Sequence, residues 1–382
     1  MLKTLVFVIT CVCCLTVCAQ KKFDVTISFA DSTICQHVAV SYDDGKSTIT
    51  VSGDDFPDGN IHITGIYAFD FAALELGYLD ASEYYSDVFF VKDTVAKISF
   101  ATAGQKKNMF KTYTLTHAYS FEDEKARMAE YDKHERAALE TFTITNGEKI
   151  FSGEQPYYDQ FWQMHNTMYR KDFEFVCNNT ASYYLLWYYK NKIAQSGCVG
   201  VDTLLTYYHS IFPEGLRNSY EGCRLEQLLY GRANTVKGRN APEFLSADIT
   251  GKPISKKQFK NNKYVLLHFW ATWCVPCMAE MNQITTIRQI YPKDFIEIIA
   301  VDFDKDSTKF IKEVNKGKMD WTHIYRDMNL YYTFGNKPSI PQVFLMNKDG
   351  MVIYSWEEEK DYHLDKLLQL LNNEHTGHMS SN

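Results

Sequence analysis

The sequence predicts an α/β domain at its C-terminal end, a mixed sheet between helices, preceded by a small all-β domain and a helical region. Three observations carry this. After residue 237, apolar strand-like runs alternate with helical patterns, which is the order of a layered α/β fold. Between residues 20 and 115, short alternating segments recur about every ten residues, as in a small sandwich or barrel. Between residues 116 and 236 the period becomes helical, with aromatic residues on one stripe. A chain of 382 residues has room for all three parts.

Residues 1–19 read as a signal peptide. Lys3 precedes an apolar stretch, Thr4 to Val17, that is short for a membrane span. Val17-Cys18-Ala19 fits cleavage before Gln20. Lipidation at Cys18 is the rival reading, disfavoured by the bulk of Val17. Either predicts export to the periplasm or cell envelope, where disulfides persist. Cleavage leaves six of the ten cysteines: Cys35, Cys177, Cys198, Cys223, Cys274 and Cys277.

In the β region, Phe23 to Phe29 alternates apolar and polar residues, as a half-buried strand does. Further strands are expected at Ser47–Val51, Asn60–Ile66, Ala73–Tyr78, Asp87–Val91 and Val95–Ala101, and no catalytic constellation accompanies them. In the helical region, the charged run Phe121–Glu130 reads as a solvated helix. Tyr157–Val176 is an aromatic helix, broken by the cap-forming residues Asn178 to Ser182. A helical hairpin and a third helix are expected over Tyr183–Ile193, Asp202–Phe212 and Ser219–Tyr230. Gly231–Asn240 is a polar linker into the C-terminal domain, residues 237–375, and 376–382 form a tail. That domain should hold strands at Tyr264–Phe269 and Phe295–Val301, each followed by a helix. An antiparallel pair follows, Gln342–Met346 and Met351–Trp356, then a helix from Tyr362 to Leu371.

The chemistry sits at Cys274-Val275-Pro276-Cys277. Two cysteines separated by two residues at a strand-to-helix junction put the first sulfur at a helix N-terminus. Unpaired N–H groups and the helix dipole favour a thiolate there. The next helical turn brings the second sulfur round to close a disulfide, the apparatus of thiol–disulfide exchange. A structural zinc site would want a second Cys/His pair at ligand spacing, and none follows.

Lys263 to Glu280, KYVLLHFWATWCVPCMAE, resembles the active-site strand and helix of the thioredoxin superfamily, in its TlpA/ResA-like branch. Ser339 to Gly350 resembles that family's cis-proline strand and turn. Ala241-Pro242-Glu243-Phe244 and Asp248 to Pro253 resemble the branch's leading hairpin. The likeness covers about residues 237–373 and implies a thioredoxin fold and a thiol–disulfide oxidoreductase without a cofactor. It implies Cys274 as the attacking thiol at an exposed helix start and Cys277 as the buried resolving thiol. Ile340 and a cis Pro341 would dock a substrate strand, with Pro276 and Trp273 beside them. Trp270 and Trp273 would shield the thiols, or simply pack. Ordinary thioredoxins carry an Asp six residues before the first cysteine, and here that position is His268. The ResA-like branch instead has a Glu three residues after the second cysteine, matched by Glu280, which could take the proton from Cys277 during resolution. The plainer readings are a first-turn acid for Glu280 and a buried strand residue with one hydrogen bond for His268. The latter is the favoured account of His268.

The partners implied are proteins with disulfides and an upstream thiol donor, which could be membrane-bound. A formal charge of −7 offers no basic field for nucleic acid. Two other functions compete with this reading. A thiol peroxidase of the same fold would need Pro-x-x-x-Thr-x-x-Cys, but Val275 stands three residues after Thr272. A β domain that captures a partner would make the redox chemistry secondary. Among the outlying thiols, an up-down-up order of helices from Tyr183 places Cys177 and Cys223 at one end, and so permits a disulfide between them. The alternative is that all four are unbonded, small buried hydrophobes.

Overall fold

A computed structural model of the chain describes residues 20–379, apart from 81–82, 102–108, 260, 305, 336–339, 360 and 362–363. For 83–84 and 374–379 it describes the backbone only. Residues 1–19 with Cys11, Cys13, Cys14 and Cys18, together with Ser339, Tyr362 and the last three residues, lie outside the described residues. The chain divides into two compact units between Ser120 and Phe121.

The first unit is built from strands. β1 (Lys21–Phe29) buries Phe23, Val25, Ile27 and Phe29 and turns the intervening residues outward. It pairs antiparallel with β4 (Asn60–Tyr67) and parallel with β7 (Val95–Phe100), which carries β8 (Tyr113–Thr116) on its other side. The second sheet runs β3 (Thr48–Ser52), β2 (Val38–Asp43), β5 (Ala72–Asp80), β6 (Glu83–Val91) and β9 (Ala118–Tyr119). Val25 and Ile27 of one sheet share a core with Val40, Leu74 and Leu76 of the other, so the unit is a sandwich.

The second unit begins with α1 (Glu122–Tyr131), α2 (Lys133–Phe151) and α3 (Tyr157–Asn178). The sequence reading does not delimit α2. Its apolar residues fall on several faces, and Asn146 leaves helical geometry (φ −123). The Ser182 side chain caps α4 (Tyr183–Tyr188) by accepting from Leu185 N. The helix continues through a π-turn, Tyr189–Ile193, into α5 (Ala194–Ser196). Then come α6 (Val201–Ile211), α7 (Glu214–Arg217) and α8 (Tyr220–Asn234). Buried Lys190 and Glu221 pair at 2.7 Å, and the Tyr183 hydroxyl donates to Glu221 at 3.1 Å, so α4, the π-turn and α8 are tied by charge as well as by packing.

No disulfide joins Cys177 to Cys223, which corrects that expectation. On α8 the inward positions are held by Glu221, Gly222 and Leu225, while Cys223 is exposed with its sulfur 3.6 Å from Arg217 O. Cys177 is half-buried at the end of α3, near Tyr189, and burial raises its pKa to about 11. The helix order allowed the pair, but the rotation of α8 about its own axis does not.

The α/β part follows within the same unit. A hairpin, β10 (Leu245–Ala247) and β11 (Pro253–Ser255), precedes β12 (Tyr264–Trp270), α9 (Val275–Ile290), β13 (Ile296–Asp302) and α10 (Ser307–Lys316). Next are β14 (Thr322–Tyr325), α11 (Met328–Thr333), β15 (Gln342–Asn347), β16 (Val352–Ser355), α12 (Trp356–Glu359) and α13 (Asp365–Met379). The sheet order is β14-β13-β12-β15-β16, with the first three strands parallel and the last two antiparallel to their neighbours. Every residue of β12 is buried, as a central strand covered on both faces requires. One face packs Leu266 and Trp270 against Met281, Ile284 and Ile287 of α9, Phe310 of α10 and Leu367 of α13. The other packs Leu267 and Phe269 against Phe244, Leu330 and Phe334.

On that second face α8 docks along α11. Gln227 donates to Thr333 Oγ1 (2.8 Å), Arg224 to Asn329 Oδ1 (3.1 Å), and Arg232 Nε to Gly335 O (2.8 Å). The backbones meet at Gly231, where a Cβ would lie 2.5 Å from both Gly335 N and Thr333 O.

Candidate functional site

β12 ends at Trp270 and α9 starts at Val275, so the intervening loop delivers Cys274 as the residue capping α9. Pro276 occupies the first turn, where a missing N–H costs nothing. Cys274 and Cys277 are joined by a disulfide, and the Cys277 N–H points at Cys274 Sγ over 3.2 Å. The helix start is exposed at Val275 and Pro276, but the Cys274 side chain itself is only 4% exposed, and Cys277 is fully buried. The cover comes from the segment that leads into β15, the strand paired with β12. The Ile340–Pro341 peptide is cis, and Ile340 O lies 3.6 Å from Cys274 Sγ. Around the buried sulfur, Trp273 (64%) and Val275 (80%) stand in solvent, and Pro276 is exposed. Trp270, by contrast, is fully buried against Phe310 and His268 and belongs to the core.

Glu280 lies one turn beyond Cys277 on the same face of α9 and is buried. Its Oε1 accepts from the Trp356 indole at 3.1 Å, so it is not a solvated first-turn acid. Its Oε2 faces His268 Nε2 at 3.5 Å. His268 is fully buried on β12, and neither ring nitrogen nor Glu280 Oε2 has a hydrogen-bond partner among the described residues. This corrects the expectation that His268 makes one ordinary hydrogen bond.

An acidic pair, Asp302 and Asp304, braces the loop. Asp304 accepts from Thr272 N (2.9 Å) and Thr272 Oγ1 (2.8 Å), and Asp302 Oδ1 accepts from Asp304 N (3.0 Å). The Asp302 carboxyl is pushed up to about 8, first by burial and then by Asp304 beside it. Its unfolded value lies near 4. Between these two values the folded protein binds the extra proton, so stability is highest below about pH 4 and is lost as pH rises through 8. Asp302→Asn, which imitates the protonated carboxyl, should remove this decline. The unfolding free energy of the wild type, from denaturant titration, should fall by about 1 kcal/mol per pH unit more than that of the variant between pH 5 and 8. Parallel curves would show that Asp302 is ionised in the native protein. Asp302-Phe303-Asp304 was a visible acidic pair, but nothing local pointed it at Thr272. Trp356 had no signal at all.

A buried, disulfide-bonded Cys-x-x-Cys capping a helix on a five-stranded mixed sheet defines a thioredoxin-fold thiol–disulfide oxidoreductase. The thioredoxin-like family profile matches residues 261–352. Over 124 residues the chain is 36% identical to the thiol-disulfide oxidoreductase ResA of Bacillus thuringiensis subsp. konkukian, a match covering 32% of this chain and 70% of that one. The ResA of Bacillus subtilis is 26% identical over 137 residues, 34% of this chain and 75% of the other. The chain belongs to the ResA thiol–disulfide oxidoreductase family. For other relatives the match spans 66% of their length, as in Bacillus anthracis. Among solved structures, the thioredoxin domain of an oxidoreductase from Bacteroides vulgatus aligns at 21% identity with a TM-score of 0.29, over 31% of this chain and 87% of that one.

Proposed function

We propose that the protein is a periplasmic thiol–disulfide oxidoreductase that reduces protein disulfides through the Cys274/Cys277 pair. The observation that carries this is the buried Cys274 sulfur beneath Ile340 O, ringed by exposed Trp273, Val275 and Pro276. An extended segment of a client can lie along the Ile340 backbone while apolar side chains hold it over the sulfur. In the reduced enzyme the Cys274 thiolate, favoured by the α9 N-terminus, attacks one sulfur of the client disulfide and expels the other as a thiolate. Cys277 then loses its proton to Glu280 and attacks Cys274 Sγ. The bond to the client breaks, its second thiolate leaves, and the Cys274–Cys277 disulfide forms. The two electrons lost by the dithiol are those gained by the client, and an upstream thiol donor must return them. The leader at residues 1–19 supports export, and among the described residues no helix is long and apolar enough to cross a membrane.

The test is turnover of insulin disulfides by the enzyme with a dithiol donor, alongside capture of periplasmic clients by Cys277→Ser. Failure of both would remove protein disulfides as substrates. Glu280→Gln should slow release of the mixed disulfide about tenfold at pH 7 and change its pH dependence, as loss of a general base does. Identical pH–rate profiles for the two proteins would take Glu280 out of the mechanism.

A further inference from the structure

Buried polar atoms are almost always satisfied, because an orphan gives up its hydrogen bonds to water and gains none in return. Directly behind the cysteines, this protein leaves three such atoms facing or flanking one another: Glu280 Oε2, His268 Nε2 and His268 Nδ1. Two of them stand 3.5 Å apart in a site with no exposure for either side chain. An apolar residue at 268 would suit a strand buried on all sides, as its neighbours Leu266, Leu267 and Phe269 show. A histidine there makes no other polar contact that would explain it.

We propose that His268 is a positioning residue for Glu280, donating its Nε2–H to Oε2 and so holding that oxygen in place for the Cys277 proton. The inference rests on the reading of Glu280 as the proton acceptor. The Trp356 indole fixes one carboxyl oxygen and His268 faces the other, so both oxygens of this buried group have a donor in place. When Cys277 attacks the mixed disulfide, its proton passes to Glu280, and the carboxylic acid and neutral imidazole remain as an uncharged pair. The proton then has no need of bulk water during the attack. A 3.5 Å separation in the oxidised form leaves room for the contact to tighten in the reduced one.

The other titratable groups on this face are few. Cys274 and Cys277 lie on α9, and Asp302 stands at the end of β13, paired in register with Trp270. Tyr354 on β16 donates to Asp361 at 3.0 Å, with Glu359 beyond it. Val343 and Ala300 flank His268 on the adjacent strands and carry no charge.

The test compares single-turnover release of a mixed disulfide across pH. His268→Leu should displace the acid limb of the profile upward, so that release at a fixed pH on that limb is about tenfold slower. His268→Gln, which keeps an N–H donor, should recover to within about threefold. In a Glu280→Gln background, His268→Leu should add nothing, because the two act as one unit. An unchanged profile for folded His268→Leu, or an equal slowing in the Glu280→Gln background, would overturn the inference. A wild-type profile for Glu280→Gln itself would instead overturn the reading beneath it. A measurement on the intact protein covers the case of a variant that does not fold. The imidazole 15N shifts should report an Nε2-protonated His268 that responds to Glu280→Gln. An Nδ1-protonated tautomer, or shifts indifferent to Glu280→Gln, would refute the contact.

Discussion

Cys274→Ser should lose insulin disulfide reduction by about a thousandfold or more, while Cys277→Ser retains the first attack and accumulates mixed disulfides. The asymmetry follows from position. Cys274 caps α9 beneath the exposed collar of Trp273, Val275 and Pro276, whereas Cys277 is fully buried one turn in. Only the first sulfur can meet a client, and only the second can free it. Neither substitution should disturb the fold greatly, since the disulfide closes a loop of only two intervening residues and so removes little chain entropy. Turnover by Cys274→Ser near the wild-type rate, or mixed disulfides trapped by Cys274→Ser rather than by Cys277→Ser, would reverse the assignment.

Gly231→Val should be the most destabilising single change in the seam between α8 and α11, costing about 3 kcal/mol. A Cβ at this position would sit 2.5 Å from Gly335 N and Thr333 O and 2.8 Å from Tyr332 O. All three are backbone atoms, so no side chain can swing aside to make room. The bonds that flank the contact, Gln227 to Thr333 and Arg232 to Gly335, would be pushed apart with it. The check is the guanidinium midpoint followed by tryptophan fluorescence. A midpoint matching the wild type would mean that α8 does not pack on α11 in solution.

What could be read in the chain beforehand was what is local in it. The alternation of Phe23, Val25, Ile27 and Phe29 identifies β1, the Cys274 spacing at a strand-to-helix junction identifies the redox pair, and the position of Glu280 follows one turn later. Short elements escaped: β14 has four residues and α11 six, too few to show a period. So did every relation set by rotation or register. His268 looked inert because Glu280 is twelve residues away on another element and meets it only through the docking of α9 on β12. Asp304 reaches Thr272 across thirty-two residues for the same reason. Cys223 belongs with these: helix order places it at the same end as Cys177, but the rotation of α8 turns it outward.

The seam along α8 also bears on how this protein can be cut. The family likeness stops near residue 240 on its N-terminal side, which invites excision of the redox part as a compact reagent. That cut would strip Arg224, Gln227 and Arg232 from α11 and bare Tyr332, whose ring now lies under Lys190 and Arg224 at 5.8 and 5.2 Å. Phe334, now fully buried, would lose the Thr235 hydroxyl that donates to its carbonyl. The smallest portable reagent therefore starts ahead of α4, where Tyr183 and Lys190 still find Glu221, and a shorter one would carry a sticky flank in place of a finished surface.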